Sequence, residues 1–316
     1  MAGGEVEVFM ARAARFFLAL AFVALSGAAT AAAVSPPLPG PLHVECRGER
    51  SAGPTVILES GAFGTGDDWS FLLGDLAAGG RVCAYDRGGV GRSPPRAGGE
   101  DVVAVAHELA ALLDQISESG PVILVGHSNG ALYVETFAAL YPARVAGLVY
   151  VNGVNSNDID DPFLVRDLDA ERCLSNMAVV VADVGLAPLL APVVVKAEGL
   201  TGEAAARKRR ALTTLSSLRV ARDEDRAIVP GLTVTGDLGG APASIPVAVI
   251  FGVPYPQNNW ARHWRAAEVA PAARAARSWV LDAPGASHTS PLARDRAYVV
   301  AAVEWLRAGA GVPTAR

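Results

Sequence analysis

The sequence predicts an α/β protein built on one doubly wound, mostly parallel sheet. From residue 42 onward, short runs rich in β-branched residues alternate with amphipathic helical patterns. Several of these runs are apolar throughout, as expected for parallel strands covered by helices on both faces. The chain has 316 residues, of which 51% are hydrophobic and 19% charged. This composition excludes intrinsic disorder and supplies enough apolar material for a large core.

Each predicted strand ends at a turn, and an amphipathic helix often follows it. The strands are predicted at Leu42–Cys46, Thr55–Glu59, Arg81–Tyr85, Val122–Val125, Ala146–Val151, Val247–Phe251 and Ser278–Leu281. The clearest helices are predicted at Val103–Glu118, at Ala131–Tyr141 and at Arg294–Leu306, where apolar residues recur at helical spacing.

The alternation is interrupted after Val151, and the next strand begins only near Ile245. Residues 163–226 have helical patterns instead, and Met177–Val195 is strongly apolar. An aspartate and two prolines interrupt that apolar segment, which argues against a membrane span. Two interpretations stay open: a lid that lines an apolar pocket, or a helix pair packed on the sheet. The basic run 207–210 has acidic residues around it, including Glu224 and Asp225, and predicts a solvated helix face.

Residues 1–33 are predicted to be a secretory signal peptide. Two arginines precede the apolar run Phe16–Leu25, and small residues that fit an A-x-A cleavage site follow at 29–33. The alternative is an uncleaved membrane anchor over 16–34. Export implies an oxidising compartment, in which Cys46 and Cys83 could pair. Our default expectation is nevertheless two buried thiols that act as small hydrophobic side chains.

Charge and motif content exclude several classes of function. The formal net charge is −5, so no basic excess favours nucleic acid. The sequence has no dinucleotide fingerprint, P-loop or metal-ligand cluster. We therefore predict no cofactor and no metal.

A candidate nucleophile lies in Gly126-His127-Ser128-Asn129-Gly130. This G-x-S-x-G pattern follows a predicted strand and precedes a predicted helix, as a nucleophile elbow requires. The turn is tight enough that the residues two before and two after the serine must lack side chains. The pattern predicts that Ser128 is raised above the edge of the sheet, at the N-terminus of a helix.

At this point the chain resembles the α/β-hydrolase superfamily over nearly all of residues 42–308. Besides the elbow, three stretches carry the resemblance: the turn Leu58–Gly64, the run Tyr85–Ser93, which is similar to Y-D-x-x-G-x-G-x-S, and the G-x-x-H loop that ends at His288. The resemblance implies one hydrolase domain over 34–316, with a helical cap inserted at about 155–243. It also implies that His288 is the general base, because in this fold the histidine follows the serine along the chain.

The resemblance further implies an oxyanion hole made of two backbone N–H groups, those of Ala62 and Asn129. The acid that orients the histidine is harder to place, because no carboxylate follows the strand 247–251 before Glu268. Asp158 is our candidate. An asparagine at 152, 258 or 259 could instead orient His288 through its amide. Of two further acids, Glu59 could approach the site, and Asp282 is expected to be structural.

The predicted function is a secreted serine hydrolase that cleaves a carboxylic ester, thioester or lactone through an acyl-enzyme on Ser128. The apolar cap segment suggests small lipophilic substrates, and membrane contact is expected only if the N-terminal segment is uncleaved. A serine in the elbow argues against the dehalogenase and epoxide-hydrolase branches, which resemble this fold but carry aspartate there. The alternative is a weakly active or inactive binding protein on the same fold, because the acid has no evident place.

Overall fold

Seven strands form a single sheet whose spatial order is β1-β3-β2-β4-β5-β6-β7. The computed structural model describes residues 40–50, 53–96, 98–160, 162–189, 200–253 and 259–309. The predicted signal segment and Asn258 lie outside the described residues. The strands are β1 (Val44–Arg47), β2 (Val56–Glu59), β3 (Val82–Tyr85), β4 (Val122–His127), β5 (Val145–Val151), β6 (Val247–Val253) and β7 (Ser278–Pro284).

The sheet is parallel except at one edge, where β1 runs antiparallel to β3. In the register of the central strands, Glu59 pairs with Gly126, and Gly126 pairs with Tyr150. The carboxyl ends of β2, β4 and β5 therefore lie side by side. Because ligands of open α/β sheets bind outside the carboxyl ends of the strands, the turns that follow these three strands are placed to share one site.

Helices cover both faces of the sheet, so the predicted doubly wound α/β architecture is confirmed. On one face, α1 (Ser70–Leu76) and the C-terminal helix pack against Val56 and Leu58 of β2. On the other face, α2 (Val102–Gln115) and α3 (Asn129–Leu140) pack against Ile57 of the same strand. Side chains that alternate along a strand point to opposite faces, so one short strand contributes to both layers of the core.

The region between β5 and β6 is helical in its described part, as the sequence predicts. It contains α4 (Pro162–Asp183), α5 (Gly202–Ala211) and α6 (Leu215–Asp237), and we call these three helices the cap. Ile228 and Leu232 of α6 are buried in a cluster with Val102 of α2 and Leu132 of α3. The cap is therefore packed on the helices that flank the nucleophile elbow, while its action as a lid stays a prediction.

The remaining helices follow β6 and β7. They are α7 (Asn259–Glu268), α8 (Ala270–Arg274) and α9 (Ala297–Ala308). Among the described residues, no helix has both the length and the apolar content needed to cross a bilayer.

The solvated face predicted for the basic run 207–210 is wrong in part. Arg207 and Lys208 form ion pairs with Asp67 and Asp68 of the core, and Arg207 Nη2 lies 2.7 Å from Asp67 Oδ1. Glu224, one of the acidic residues around the basic run, is 1% exposed. Arg207, Lys208 and Glu224 each have an oppositely charged partner outside the cap, at Asp67, Asp68 and Arg87 respectively. These three side chains therefore face the rest of the protein.

The expectation of two free thiols is also wrong, because Cys46 and Cys83 form a disulfide. The two cysteines are directly opposite each other in the antiparallel pair of β1 and β3. That register brings their Cα atoms to 4.1 Å, within reach of a disulfide. The third cysteine, Cys173, is free and exposed.

Replacing both Cys46 and Cys83 by serine is expected to lower the free energy of unfolding by about 4 kcal/mol. The bond closes a loop with a sequence separation of 37 residues, and about 4 kcal/mol is the loop-closure entropy that a cross-link of this length removes from the unfolded chain. Chemical denaturation of the double variant measures the change. A Cys173→Ser variant is the control, and equal stability of all three proteins would contradict the prediction.

Candidate active site

The nucleophile elbow has the strained backbone that the sequence predicts. Ser128 has φ 53° and ψ −127°, between the end of β4 and the start of α3. Its N–H donates to the carbonyl of Val151 at 3.1 Å, and its own carbonyl accepts from Val154 N–H at 3.1 Å. A Cβ on Gly130 would lie 2.6 Å from two carbonyl oxygens, those of Glu59 and Ser60. The small residue predicted two positions after the serine is therefore required by the turn that follows β2.

That second turn, residues 60–65, packs directly against the elbow. A Cβ on Gly61 would lie 2.8 Å from Cβ of Ser128. The turn is closed by the Ser60 hydroxyl, which donates to the carbonyl of Thr65 at 3.0 Å and accepts from Trp69 Nε1 at 2.9 Å. Phe63 has φ 56°, a left-handed conformation that a bulky residue rarely adopts. The hydrogen bonds of Ser60 and the backbone conformation of Phe63 constrain this turn, which packs against Ser128.

The two predicted oxyanion donors lie on these two turns. Within the described residues, neither the N–H of Ala62 nor that of Asn129 donates a hydrogen bond to another protein group. Asn129 begins α3, so its N–H belongs to the first turn of a helix, where backbone donors have no partner inside the helix. A cavity of about 60 Å³ lies beside Ala62, and Gly61, His127, Leu200 and Lys208 are among its lining residues. Two donors are therefore available near the serine.

His288 lies beside the elbow, as its predicted role requires. Its ring centroid is 4.8 Å from that of His127, the residue before the serine. The side chain of His288 is exposed, whereas Ser128 is 7% exposed. In the described part of the chain, the Ser128 hydroxyl makes no hydrogen bond. Catalytic hydrogen bonds are often long in proteins without substrate.

His127 anchors the loop that carries His288. Burial, together with the neighbouring His288, lowers the pKa of His127 to about 3. The imidazole is therefore neutral near pH 7, and its Nε2–H is placed to donate to the main-chain carbonyl of His288 at 3.0 Å. From the sequence, His127 is predictable only as a residue inside the elbow, because its partner at His288 is 161 residues away.

Asn152 holds the same carbonyl from the end of β5. Its Nδ2 donates to the His288 carbonyl at 2.9 Å, and its Oδ1 accepts from Gly252 N–H at 2.6 Å. The hypothesis that the Asn152 amide orients the imidazole is therefore corrected, because this amide is bonded to main-chain groups. The hypothesis failed because sequence cannot distinguish an amide that supports a loop from one that supports a ring.

Substituting Asn152 by alanine is expected to reduce kcat about tenfold and to lower the free energy of unfolding by about 1–3 kcal/mol. The variant leaves the Gly252 N–H and the His288 carbonyl each short of one buried partner and loosens the candidate base. Ester kinetics and thermal unfolding measure the two effects. Asn176→Ala, which removes an amide bonded to a carbonyl within α4, is the control. A stability loss with unchanged kcat would mean that Asn152 has no role in positioning the base.

Asp158 is buried in the segment that follows β5. It is 1% exposed, and its two carboxylate oxygens accept from the N–H and the Nδ2 of Asn155 at 2.9 and 3.0 Å. Glu268, at the end of α7, is close enough for burial and the charge of Asp158 to raise the pKa of Glu268 well above its usual value. The role of Asp158 as the acid of a triad stays a prediction.

The other candidates are placed as follows. Glu59 is fully buried and forms an ion pair with Arg87 at 2.7 Å, so it belongs to the support of the turn after β2. Asp282 forms an exposed pair with Arg265 at 2.9 Å, in agreement with a structural role. Asn258 lies outside the described residues, and of Asn259 only the backbone, at the start of α7, is described. In the described ranges, no group of three or more metal-ligating side chains is positioned to hold a metal ion.

A buried aspartate that the sequence did not single out lies against the residue after the nucleophile. Asp225 of α6 is 5% exposed and accepts from Asn129 Nδ2 at 3.3 Å. Burial, followed by the charge of Glu171, raises the pKa of Asp225 from 3.8 to about 8. Near pH 7 this carboxyl is therefore mostly protonated.

The substitution Asp225→Asn is expected to stabilise the protein by a margin that grows as the pH rises. Because the pKa of Asp225 is raised from 3.8 to about 8 by folding, its contribution to stability is complete below about pH 4 and is lost as the pH rises to 8. The amide mimics the protonated form, so wild type and variant should match near pH 3.5 and differ most above pH 8. Denaturation at both pH values tests this. Asp223→Asn is the control on the same helix, and a margin that is constant with pH would contradict the prediction.

Comparisons with known proteins agree with this architecture. A family model described as alpha/beta hydrolase fold matches residues 54–172. The putative carbamate hydrolase RutD of Variovorax paradoxus is 41% identical over 114 residues, which are 35% of this chain and 42% of that protein. The chain thus spans less than half the length of the curated relatives it matches.

Solved structures are similar over a much larger share. An esterase from Thermogutta terrifontis superposes with a TM-score of 0.59 and 22% identity, over 84% of this chain and 93% of that one. The enol-lactonase from Burkholderia xenovorans superposes with a TM-score of 0.57 and 19% identity, over 84% and 96% of the two chains. At these identities the similarity establishes the fold alone.

Proposed function

The chain belongs to the α/β-hydrolase superfamily, and from this premise we propose that it is a serine hydrolase acting on an ester-type bond. The observation that carries the proposal is the contact between two turns. The strained elbow at Ser128 and the turn at Gly61 approach closely and present two N–H groups, at Ala62 and Asn129, that have no hydrogen-bond partner among the residues that the structure describes. Such a pair of donors beside a serine fits an oxyanion of acyl transfer.

The mechanism follows from these positions. His288 removes the proton of the Ser128 hydroxyl as Oγ attacks the carbonyl carbon of the substrate. The N–H groups of Ala62 and Asn129 stabilise the oxyanion of the tetrahedral intermediate. His288 then protonates the leaving group, which departs and leaves an acyl-enzyme. In the second half, His288 activates a water that releases the acid and regenerates the serine.

The bond cleaved is assigned to the carboxylic ester, thioester or lactone class, in a small substrate. The cavity of about 60 Å³ beside Ala62 has room for a small group. The lipophilic preference rests on the cap, where large apolar side chains such as Met177 and Val180 are exposed. The named activities of the relatives, an esterase and an enol-lactonase among them, are compatible with this class.

Labelling with a fluorophosphonate probe tests the proposal without knowledge of the natural substrate. The wild type is expected to react once, and peptide mapping should place the adduct on Ser128. A folded protein that never labels and hydrolyses no ester would support the alternative, a binding protein on a hydrolase fold.

A chain-length series of p-nitrophenyl esters tests the lipophilic preference. We expect kcat/KM to rise from acetate toward octanoate as the acyl chain removes more apolar surface from water. Faster turnover of acetate than of octanoate would overturn this preference and leave the proposed mechanism intact.

We also propose that the protein is exported, with residues 1–33 removed. The disulfide between Cys46 and Cys83 supports this location, because disulfides persist mainly in oxidising compartments. Fractionation of producing cells and N-terminal sequencing test it. A mature protein in the membrane that retains residues 16–34 would favour the anchor instead.

A further inference from the structure

Arg87 lies directly behind the turn that carries the candidate oxyanion donor. It is 2% exposed and sits in the loop after β3. Its guanidinium makes five hydrogen bonds: two to Glu224, one to Glu59, and one each to the carbonyls of Ser60 and Gly61. A guanidinium has five N–H donors, so every donor is used.

The two carbonyl contacts fix the direction of a neighbouring N–H. Arg87 Nη1 lies 2.5 Å from the Ser60 oxygen, and Nη2 lies 3.0 Å from the Gly61 oxygen. The Gly61 carbonyl and the Ala62 N–H belong to the same planar, trans peptide unit, in which the two groups point in opposite directions. Holding the carbonyl from behind therefore turns the Ala62 N–H away from Arg87.

We call the two contacts of Arg87 with the carbonyls of Ser60 and Gly61 the clamp. Glu224 of α6 connects this clamp to the cap. Its two carboxylate oxygens accept from Arg87 Nε at 2.9 Å and Nη2 at 2.8 Å, a bidentate arrangement. Glu224 also lies 3.5 Å from Arg96, which in turn contacts Glu108 of α2 at 2.8 Å. Arg87 thus joins the turn after β2 to a helix that is far away in the sequence.

The two acids that pair with Arg87 respond differently to burial, because burial raises the pKa of Glu59 whereas that of Glu224 is lowered. Burial alone would raise the pKa of Glu224, but Arg87 and Arg96 outweigh it and lower that pKa. Since Glu224 is 1% exposed, removal of Arg87 would leave a buried charge whose remaining ion pair is the longer one to Arg96, at 3.5 Å.

We propose that Arg87 is a positioning residue that orients the Ala62 N–H toward the oxyanion. Through Glu224, this orientation is coupled to the position of the cap helix α6. The inference rests on the proposed function, because it assigns the Ala62 N–H to the transition state. A displaced donor stabilises the transition state less, while the binding of substrate is little affected. The expected result is therefore a lower kcat with little change in KM.

Three variants test the proposal: Arg87→Lys, Arg87→Met and Glu224→Gln. Arg87→Met is expected to lower kcat for a p-nitrophenyl ester about 100-fold, the order of effect that a 1 Å misplacement produces. Lysine has three donors rather than five, so Arg87→Lys should recover part of the rate. Glu224→Gln should lower kcat about tenfold, with KM within about threefold of wild type in every variant.

Arg207→Met is the matched control. Arg207 also joins the cap to the core, through Asp67 at 2.7 Å, and it has no hydrogen bond to the carbonyl of Ser60 or Gly61. Its loss should change thermal stability without a selective loss of kcat. If Arg87→Met does not fold, Arg87→Lys and Glu224→Gln decide the outcome. Unchanged kcat in these two folded variants would overturn the proposal.

Amide hydrogen exchange separates this inference from the proposed function. In the Arg87 variants, exchange at residues 61–64 should quicken, while exchange in α9 (297–308) stays as in wild type. If the wild type neither labels nor hydrolyses esters but this exchange effect appears, the proposed function fails and the clamp on the turn stands. Unchanged exchange at 61–64 would overturn the clamp even in an active enzyme.

Discussion

Substituting Ser128 by alanine is expected to abolish fluorophosphonate labelling and to lower kcat for ester hydrolysis by about 10⁴- to 10⁶-fold. In serine hydrolases, loss of the nucleophile removes nearly all of the catalysis that the triad supplies, and the small remainder comes from the oxyanion hole and binding. Here the elbow is strained, with Ser128 at φ 53°, a conformation retained only where surrounding structure enforces it. Alanine should fit the same backbone, so the variant is expected to fold.

The measurement combines probe labelling with steady-state kinetics on one short-chain ester. Ser216→Ala, on the exposed face of α6, is the matched control and should label like the wild type. His288→Gln should show a loss comparable to that of Ser128→Ala, because serine and base act as a unit. Persistent labelling of Ser128→Ala at the wild-type rate would place the nucleophile elsewhere and remove the basis of the proposed function.

The elbow was predictable because its determinants are local. A strand, a five-residue turn and a helix are contiguous in the sequence, and the glycine at 130 is required by contacts with Glu59 and Ser60. The alternation of strands and helices is local in the same way. The seven predicted strands therefore match the observed ones to within a few residues.

The supports of the site were not predictable, because they join distant segments. Arg87 and Glu224 are separated by 137 residues, and in the sequence Glu224 is only one of several acidic residues around the basic run 207–210. The Cys46–Cys83 bond depends on the antiparallel register of the edge strand β1. That register is set by tertiary packing, which short-range periodicity does not report. In each case the residue type was visible in the sequence, and its partner was not.

A large loss of activity is also expected when the acid that assists His288 is replaced, and Asp158 is our candidate for that acid. The segment that contains Asp158 follows β5 and lies against the elbow: Val151, at the end of β5, and Val154 both hydrogen-bond the backbone of Ser128. Asn152 in this segment holds the His288 carbonyl. Asp158 therefore belongs to the stretch of chain that contacts both the nucleophile and the base.

Two buried carboxyl groups meet there, and their environments differ. Asp158 accepts two hydrogen bonds from Asn155, whereas Oε2 of Glu268 is buried and has no hydrogen-bond partner in the described part of the chain. Burial and the charge of Asp158 raise the pKa of Glu268, which favours the protonated form of Glu268. Environments that differ in this way assign different roles to the two members of a pair. Asp158 is accordingly our candidate for the carboxylate of the triad.

Asp158→Asn is expected to lower kcat about 10⁴-fold, because an amide in place of the acid stabilises the wrong tautomer of the base. Glu268→Gln is the matched control: it replaces a carboxyl whose pKa burial raises by a neutral group of similar shape and should leave kcat within about threefold. Thermal unfolding of both variants separates a catalytic loss from a folding defect, since loss of the Asn155 contacts alone would lower stability without a selective effect on kcat. A folded Asp158→Asn protein that retains more than a tenth of the wild-type rate would exclude Asp158 from the triad and direct the search to the segment between β6 and α7.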